Sequence, residues 1–506
     1  MTRYCNLADW AVIFAYLGGI IALGVWFGRD QRNTRDYFLG SRNIPWWGIG
    51  LSIVAAETSA LTIIGVPALA YGSNLVFIQM VLGYVLARIL LAVVMVPHYL
   101  KGEIYSPYQL FADRLGPAAR QTAGGLFLLS ETLAAGVRVY VVSIPIQLLL
   151  GVGVLPSIAL FVLLSLVYTY VGGVKAVIWT DAVQFGLFLL GGLYALWYIP
   201  SLVDGGLGGV LAQAAQAGKL RWFNPQFALA EPFNIWMGII GGTFVTLSSH
   251  GAEQLIVQRV LACKNVADGR KALMLSAVLV LPLFLIFLLV GVMLWVFYQG
   301  HPFQIAPPET RPGIKANDFI FPIFMMTEVP HVLKGFLIVA ILSAAMSSVS
   351  SALTSLASVS TMDFVKPLVG GRGEEFYLRF SKASTVAWAV LLIGVAYLSR
   401  EVLFVLNAAF TLRGLTSGAL LGGLALAVFW KQGRALPVIG GMLASLVCMV
   451  GVSQFSWRTG DGSLAVTHKV FWPWFTLMGT VVTLTVAWAI QALTAGAQRR
   501  AAAPPQ

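Results

Sequence analysis

The stretch PWWGIGLSIVAAETSALTIIGVPALAY (residues 45–71) is long and apolar enough to cross a lipid bilayer. A bilayer core needs about 20 mainly apolar residues in one helix. The middle of the stretch is nevertheless polar, with Glu57, Thr58 and Ser59 in succession, and Gly65 and Pro67 follow. A polar cluster beside helix-breaking residues predicts a membrane helix that is interrupted near its centre.

A second stretch, NIWMGIIGGTFVTLSSHGAEQLIVQ (residues 234–258), has the same character, with a polar centre from Ser248 to Gly251. Two interrupted helices separated by four ordinary ones are typical of transporters built from inverted repeats, in which free carbonyls and helix ends meet the solute and the coupling ion. The alternative is two kinked helices with packing roles only. The lone His250 is interpreted as a hydrogen-bonded packing residue rather than a metal ligand.

The whole chain has the composition of an all-α, polytopic membrane protein. Of its 506 residues, 58% are hydrophobic and 10% are charged, and the mean hydropathy is +0.83. Soluble domains carry about 25% charged residues, so a water-soluble enzyme is excluded. We predict 13 spans, at residues 8–28, 45–71, 75–97, 121–150, 155–172, 176–199, 234–258, 272–298, 331–363, 379–399, 403–430, 436–455 and 471–493.

The positions of lysine and arginine predict the orientation of the chain in the bilayer. The net charge is +12, and the basic residues fall in short segments between spans, which indicates membrane orientation rather than binding to nucleic acid. With the N-terminus outside, 20 basic residues lie in inner segments and 9 in outer ones. We therefore predict an integral protein of the plasma (inner) membrane with its N-terminus outside and its C-terminus in the cytoplasm.

The sequence contains no phosphate-binding loop, no nucleophile–base pair and no zinc-ligand spacing. It contains no nucleotide-binding domain, so we do not expect ATP to drive it. The three cysteines lie far apart and are interpreted as isolated thiols. We expect a carrier and not an enzyme, acting on a small solute within the lipid bilayer, with no obligate protein partner evident.

A serine-rich helix within residues 331–363 is the candidate for an ion site. At 100° per residue, Ala344, Ser347, Ser348 and Ser351 share one face, with Ser350 at its edge. Small residues often serve only close packing of helices, which is the alternative. A hard alkali cation prefers several oxygen ligands, and serine hydroxyls with free carbonyls supply them.

Charged residues inside the spans are costly and therefore mark candidate sites. The alternative is that they form ion pairs near span ends or extend to the interface. The candidates are Glu57, Arg88, Glu131, Arg138, Asp181, Glu253 and Arg413.

Several of these segments together resemble the sodium/solute symporter family, whose members carry sugars, proline, pantothenate, sialic acid, iodide and monocarboxylates. They are SRNIPWWGIGLSIVAAETSA (41–60), VYTYVGGVKAVIWTDAVQ (167–184), AEQLIVQRVLACKN (252–265) and the serine-rich helix. The resemblance covers roughly residues 8–455 and implies a LeuT-type fold, in which five helices recur in inverted topology. The organisation it implies is an extra helix and loop at 1–44, repeats at 45–199 and 234–430, an external loop at 200–233 and two further helices with a tail at 431–506.

The resemblance also implies sodium as the coupling ion and two sets of ligands for it. The main site resembles the carbonyls of Ala55, Thr58 and Ala344 with the hydroxyls of Ser347 and Ser348. A second set, present in some members, matches Asp181, Ser347, Ser350 and Ser351. The sequence offers Asp181 hydroxyl partners but no positive charge, because Lys175 should point to water, so a second bound sodium is the simplest compensation.

The solute pocket implied by the resemblance departs from that of the sugar transporters. Their gate tyrosine corresponds to Leu255, and their acidic contact is missing near Gln79 to Val81. Ser59, Thr62, Gln79 and Arg138 instead occupy positions similar to those that contact the solute in the sialic acid branch. We also include Glu57, Glu253 and Gln254 among the candidate solute contacts.

The arginine of this pocket leads to three functional hypotheses. Arg138 could take a carboxylate through two N–H groups, or Glu57 could simply neutralise it. The first hypothesis is a sodium-driven importer of a small, carboxylate-bearing solute that works by alternating access. The second is a proton-coupled or uncoupled carrier in which Glu57 or Asp181 titrates, and the third is a sensor or channel.

Overall fold

The chain folds almost entirely into α-helices. The computed structural model describes residues 5–29, 31–59, 61–230, 233–311, 314–401, 405–459 and 466–501. In this part of the chain, β-structure is confined to two antiparallel strand pairs. They are β1 (Glu309–Arg311) with β2 (Ile314–Lys315), and β3 (Ser456–Thr459) with β4 (Val466–Lys469). The predicted all-α class is confirmed.

The main helices follow one another in chain order. They are α1 (Leu7–Phe27), α2 (Trp46–Glu57), α3 (Val66–Gly72), α4 (Ile78–Val94), α5 (Pro117–Leu150), α6 (Val154–Ser201), α7 (Gly242–Gly251), α8 (Gln254–Leu261), α9 (Val266–Gly300), α10 (Leu333–Val359), α11 (Glu374–Leu398), α12 (Val405–Phe429), α13 (Ala435–Gln454) and α14 (Pro473–Ala501). Shorter α-helical segments are Thr34–Leu39, Val96–Tyr99, Gln109–Leu115, Gly206–Gln216, Ile320–Thr327 and Lys366–Leu368. Leu61–Gly65, Met237–Gly241 and Ser360–Val365 are π-helical, and Gly40–Arg42, Asn317–Phe319 and Ser399–Glu401 are 3₁₀ turns.

The number of membrane spans is only partly settled by these helices. Nine helices of the described residues are long and apolar enough to cross a bilayer, and α2 with Leu61–Gly72 makes a tenth, bent by 56° at its break. Each predicted span coincides with a helix, with part of one or with a broken pair. The count of 13 spans and the residue limits of the two repeats remain predictions.

The 48-residue helix α6 covers two predicted spans and breaks between them. Gly173 has φ +54° and ψ −157°, a conformation that residues with a side chain rarely adopt. A Cβ at this position would lie 2.5 Å from the carbonyl oxygen of Tyr37. Glycine is therefore required where the chain turns from the first span into the second.

The first predicted interruption is present between α2 and α3. Thr58 leaves the helical region, with ψ 84°, and α2 ends there. The Ser59 hydroxyl accepts a hydrogen bond from the amide of Leu61 at 3.1 Å, which caps the π-helical turn that follows. Pro67 stands in the first turn of α3, where a missing N–H costs nothing. The polar cluster and the proline thus produce the break that the sequence predicts.

The second predicted interruption separates α7 from α8. Glu253 is extended, with φ −103° and ψ 132°, and the amides of Ala252 and Glu253 both donate to the carbonyl of Ser248. All eight residues of α8 are buried, although Arg259 and two glutamines are among them. Both interruptions that the sequence predicts are therefore present.

Helix α10 lies at the centre of the bundle. In its most apolar window 94% of the residues are buried, against 17% for α1 and 28% for α14. It packs against α1, α2, α5 and α6, and small residues let α6 approach closely, since a Cβ on Gly191 would lie 2.7 Å from the Cβ of Ala340. The serine-rich face of α10 is therefore interior, and α1 and α14 are peripheral.

Candidate functional site

The end of α2 leaves backbone and side-chain oxygens without their usual partners. The amide of Ser59 donates to the carbonyl of Glu57 at 3.0 Å and not to that of Ala55, four residues back. The Ala55 carbonyl therefore lacks the partner that a continuing helix would supply. The Thr58 hydroxyl is buried, and no residue that the structure describes hydrogen-bonds to it. Buried oxygens without donors suit a bound cation.

The serines of α10 present their oxygens beside this end of α2. Ser347 Oγ donates to Asp181 Oδ1 at 2.6 Å, and Ser348 Oγ donates to the carbonyl of Ala344 at 3.0 Å. Both hydroxyls use their proton in these bonds, so their oxygen lone pairs stay available as ligands. Because α10 packs against α2, the five residues of the main sodium set are on two elements in contact.

The chemistry of this set fits an alkali cation. Three carbonyls and two hydroxyls form a neutral group of hard oxygen donors, as sodium prefers. Across the described ranges there is no group of three histidine, cysteine, aspartate or glutamate side chains that could hold a metal ion. Bound sodium would join the end of α2 to the middle of α10.

The second set of predicted ligands surrounds a guanidinium group instead. Arg259 Nη2 lies 2.8 Å from Asp181 Oδ2 and also donates to Ser351 Oγ. Its Nε donates to Ser52 Oγ at 2.8 Å, and Ser52 Oγ donates to Asp181 Oδ2 at 2.5 Å. Asp181 and Arg259 are both fully enclosed. Asp181 therefore has a buried cation as its partner.

The expectation that no positive charge lies near Asp181 is wrong. Arg259 follows the predicted span at 234–258, which places it at the cytoplasmic side, but α8 is buried to its end. Its Nη1 donates to the carbonyl of Leu255 at 2.5 Å, one turn back on α8. Ser350 and Ser351 of the second set also donate to the carbonyl of Ser347 on their own helix.

A cavity lies between the two helix breaks. It holds about 750 Å³ of space between atoms, part of it open to solvent. Apolar and aromatic side chains from α4, α8, α9 and α12 line much of its wall, as is typical of a small-molecule site. Four of the predicted solute residues line it, namely Glu57, Ser59, Thr62 and Arg138.

Three predicted solute residues lie outside this cavity. The Gln79 amide donates to the carbonyl of Val76 and accepts from the amide of Asn224, both at 3.2 Å. Gln254 Nε2 donates to the carbonyl of Tyr105 at 2.7 Å and to Ser358 Oγ at 3.1 Å. These two glutamines tie neighbouring segments together. Glu253 borders a smaller, adjacent cavity.

Three arginine–glutamate pairs surround the cavity. Arg88 Nη2 donates to Glu57 Oε2, whereas Arg138 Nη2 donates to Glu131 Oε1 at 2.6 Å. Glu57 is therefore not the direct partner of Arg138. Arg413 donates to Glu253 Oε2 through both Nε and Nη2. The charges inside the spans thus form ion pairs, as the alternative interpretation expected, but Arg138, Arg413 and Glu57 also line the cavity.

His250 is held between Arg88 and Ser249. Its Nε2 lies 3.1 Å from Arg88 Nη2, and its Nδ1 lies 2.8 Å from Ser249 Oγ. A guanidinium can only donate, so Nε2 accepts and the ring is neutral. His250 is hydrogen-bonded and buried, which agrees with the packing role expected for it.

A small cavity connects the solute-lining residues to the sodium set. Ser59 and Arg138 line both this cavity and the large one, and Ser348 lines the small one. Ser348 is a predicted sodium ligand, so the two candidate sites are neighbours through shared side chains.

Comparison with known proteins shows the family. The sequence model of the Sodium:solute symporter family matches residues 37–446. The chain is 29% identical over 467 residues to the sodium/sialic acid symporter SiaT of Proteus mirabilis (strain HI4320), covering 87% of this chain and 88% of the relative. It is 26% identical over 450 residues to the human sodium-coupled monocarboxylate transporter 1, covering 88% and 73%.

Solved structures agree with this relationship. A substrate-bound, outward-open Na⁺-coupled sialic acid symporter, described as revealing a novel Na⁺ site, aligns with a TM-score of 0.85 and 26% identity, covering 96% of this chain and 98% of that one. The nucleobase-cation-symport-1 family transporter Mhp1 aligns with a TM-score of 0.53 and 14% identity, covering 91% and 95%, which shows the fold alone.

These matches extend over nearly the whole bundle and include both helix breaks and the serine-rich helix. The predicted LeuT-type fold, the transport function and the use of sodium are thereby confirmed. The chain belongs to the sodium:solute symporter family: it is a multi-pass membrane symporter that couples a small solute to sodium by alternating access.

Proposed function

We propose that the transported solute is a small organic acid whose carboxylate binds Arg138. The observation that carries this proposal is the free amino group of that arginine. Nε donates weakly to the carbonyl of Ala134 at 3.3 Å and Nη2 donates to Glu131, whereas Nη1 has no hydrogen-bond partner within the described ranges. Arg138 lines the cavity beside the hydroxyl residues Ser59 and Thr62. An unpaired guanidinium N–H on the wall of a cavity favours an anionic acceptor.

The charge balance around the cavity supports a monoanion. The three arginines and three glutamates cancel, and the histidine is neutral. One sodium ion and one monocarboxylate would leave the interior neutral, whereas a second unbalanced charge in the membrane interior is costly. Sialic acid and monocarboxylates, which the relatives' names give as their solutes, are acids of this kind.

Coupling follows from the proximity of the two sites in this proposal. Sodium at Ala55, Thr58, Ala344, Ser347 and Ser348 would order the end of α2. Ser59, one residue beyond that end, lines the solute cavity, so ordering it would raise solute affinity. By reciprocity, bound solute would raise sodium affinity to the same extent.

A second sodium at Asp181, Ser347, Ser350 and Ser351 remains part of the proposal under one condition. Arg259 now satisfies the Asp181 carboxylate, so an ion could bind there only after the guanidinium moves away. We propose two sodium ions per cycle only if Arg259 leaves Asp181 during transport, and one otherwise.

The proposed setting is the plasma (inner) membrane, with the N-terminus outside and the C-terminus in the cytoplasm. The bias of lysine and arginine toward the segments assigned inside supports this orientation. Reporter fusions at the loops that precede α2 and α9 would test it, since both loops are assigned to the cytoplasm.

Uptake into proteoliposomes tests the solute and the coupling together. We expect an inward sodium gradient to drive uptake of N-acetylneuraminate or of a smaller monocarboxylate, and a choline gradient to fail. The methyl ester of the same acid, which lacks the negative charge, is the control and should not compete. Uptake that follows a pH gradient without sodium would favour the proton-coupled alternative, and equal competition by the ester would contradict carboxylate recognition.

A further inference from the structure

A second arginine lines the solute cavity with an unused amino group. Arg413 is on α12, and its side chain is 19% exposed, against 2% for its partner Glu253. Glu253 Oε2 accepts from Arg413 Nε and Nη2, so Nη1 alone is free of partners in the part of the chain that the structure describes. The glutamate lies behind the arginine and does not line the large cavity.

Arg88, by contrast, uses all three of its guanidinium nitrogens in hydrogen bonds and does not line the large cavity. Its Nε donates to Ser276 Oγ at 3.2 Å and its Nη1 to the carbonyl of Tyr84 at 2.9 Å. Its Nη2 is used by Glu57 and His250, and its side chain is fully buried. Of these three arginines, Arg138 and Arg413 line the large cavity, and the Nη1 of each has no hydrogen-bond partner among the described residues.

Charge decides what Arg413 can bind. The Arg413 guanidinium is already neutralised by the Glu253 carboxylate, which accepts from two of its nitrogens. In the proposed function, one sodium ion balances the solute carboxylate at Arg138. A second carboxylate at Arg413 would leave an uncompensated negative charge in the membrane interior. A neutral oxygen, such as a hydroxyl, keto or amide oxygen, accepts the free N–H without adding charge.

We propose that Arg413 is a specificity-determining residue that recognises a neutral oxygen acceptor on the solute while Arg138 binds the carboxylate. This inference rests on the proposed function. It narrows the solute class to monocarboxylates that carry an additional hydroxyl, keto or amide oxygen. A plain fatty acid would satisfy Arg138 but offer Arg413 Nη1 no acceptor, so we expect it to bind more weakly.

The inference is tested on proteoliposomes with matched pairs of acids. Each acid competes for the sodium-dependent solute uptake described under the proposed function. The pairs are gluconate with hexanoate and lactate with propionate, since each pair shares a chain length and differs in hydroxyl groups. We expect the wild-type protein to prefer the hydroxylated acid of at least one pair by about 10- to 100-fold, the range for a hydrogen bond to a charged group.

The informative variant is the double substitution Glu253→Gln with Arg413→Gln, which removes both charges and strands neither. It should reduce the preference to near onefold while the plain acid still competes. Ser417→Ala, one turn away on α12, is the matched control and should keep the preference, since its hydroxyl bonds to the Gly414 carbonyl and to Thr476 Oγ1. Glu253→Leu with Arg413→Met is a second test if the first double variant does not fold, because it replaces the buried pair by apolar side chains that cannot donate.

The outcomes separate the two proposals. A preference kept by either double variant overturns the role of Arg413. Equal competition by both acids of each pair in the wild-type protein overturns it as well. If no acid competes for uptake by the wild-type protein, the proposed function itself is overturned, and the role of Arg413 with it.

Discussion

Arg259 on α8 and Asp181 on α6 form an ion pair in the interior of the bundle, with 2.8 Å between Nη2 and Oδ2. Ser52 of α2 and Ser351 of α10 hydrogen-bond to the same guanidinium. The pair therefore links both broken segments to the helix that carries the proposed sodium ligands. Any movement of α8 during transport must either carry this pair with it or separate it.

The ion pair makes the sodium stoichiometry testable through Arg259. If sodium and the guanidinium compete for Asp181, Arg259→Gln should raise the apparent sodium affinity and bring the Hill coefficient for sodium near two, because a bare buried carboxylate needs a cation. Asp181→Asn should bring the coefficient to one. Charge movement per solute measured on proteoliposomes gives an independent count.

A structural role for the pair predicts a different result. Asp181→Asn would then strand a buried arginine and destabilise the protein by about 3–5 kcal/mol. The double variant with Arg259→Gln would recover most of the thermal stability. A coefficient of one in wild type and in Arg259→Gln would assign Asp181 to hydrogen bonding between helices and contradict the second sodium.

The main sodium site predicts a loss of coupling when its hydroxyls are removed. Ser347→Ala with Ser348→Ala deletes two of about five oxygen ligands, and a desolvated cation tolerates this poorly. We expect sodium-stimulated uptake to collapse while the protein still inserts and folds, as measured by expression and thermal unfolding in detergent.

Ser355→Ala is the matched control for that variant. Ser355 is buried on the same helix and donates only to the carbonyl of Ala352, so its loss should leave uptake unchanged. Wild-type uptake by the Ser347/Ser348 double variant would show that sodium binds elsewhere.

Replacement of the arginine at the solute cavity should weaken binding of the carboxylate. In Arg138→Lys the ammonium can still pair with Glu131, but it cannot reproduce the planar fork. We expect a loss of about 10-fold or more in affinity for the acid, since hydrogen bonds to charged groups contribute about 1.5–3 kcal/mol. Equal transport of a neutral solute by both forms would discard the carboxylate interpretation.

Substitution of Gly173 should lower the stability of the fold, whichever transport proposal holds. Gly173→Ala places a Cβ at φ +54° and 2.5 Å from the Tyr37 carbonyl, so we expect destabilisation of about 1–3 kcal/mol. Gly186→Ala, in open space on the same helix, should be neutral or stabilise by up to about 1 kcal/mol. Thermal unfolding in detergent compares the two, and equal stability would contradict the strain at Gly173.

Some parts of the candidate site could be predicted from the sequence, and others could not. The proposed main sodium set can be recognised from the sequence, because the end of α2 and the serine face of α10 are local patterns. The solute residues are harder to recognise from sequence. Gln79 and Gln254 bond to Asn224 and Tyr105, which belong to other segments, and no local pattern links these residues. A polar residue in a span is predictable as buried, but the group that satisfies it is not.

The sequence by itself determined the class, the two interruptions and the serine-rich helix, because hydropathy, helix-breaking residues and helical periodicity act over one or two turns. The Arg138–Glu131 pair, seven residues apart on one helix, also lies within that range. Tertiary structure alone decided the other pairs of buried charges. Glu57–Arg88, Asp181–Arg259 and Glu253–Arg413 join residues 31, 78 and 160 positions apart. Each buried charge needs some opposite partner, and only the packing of distant helices determines which one is within reach.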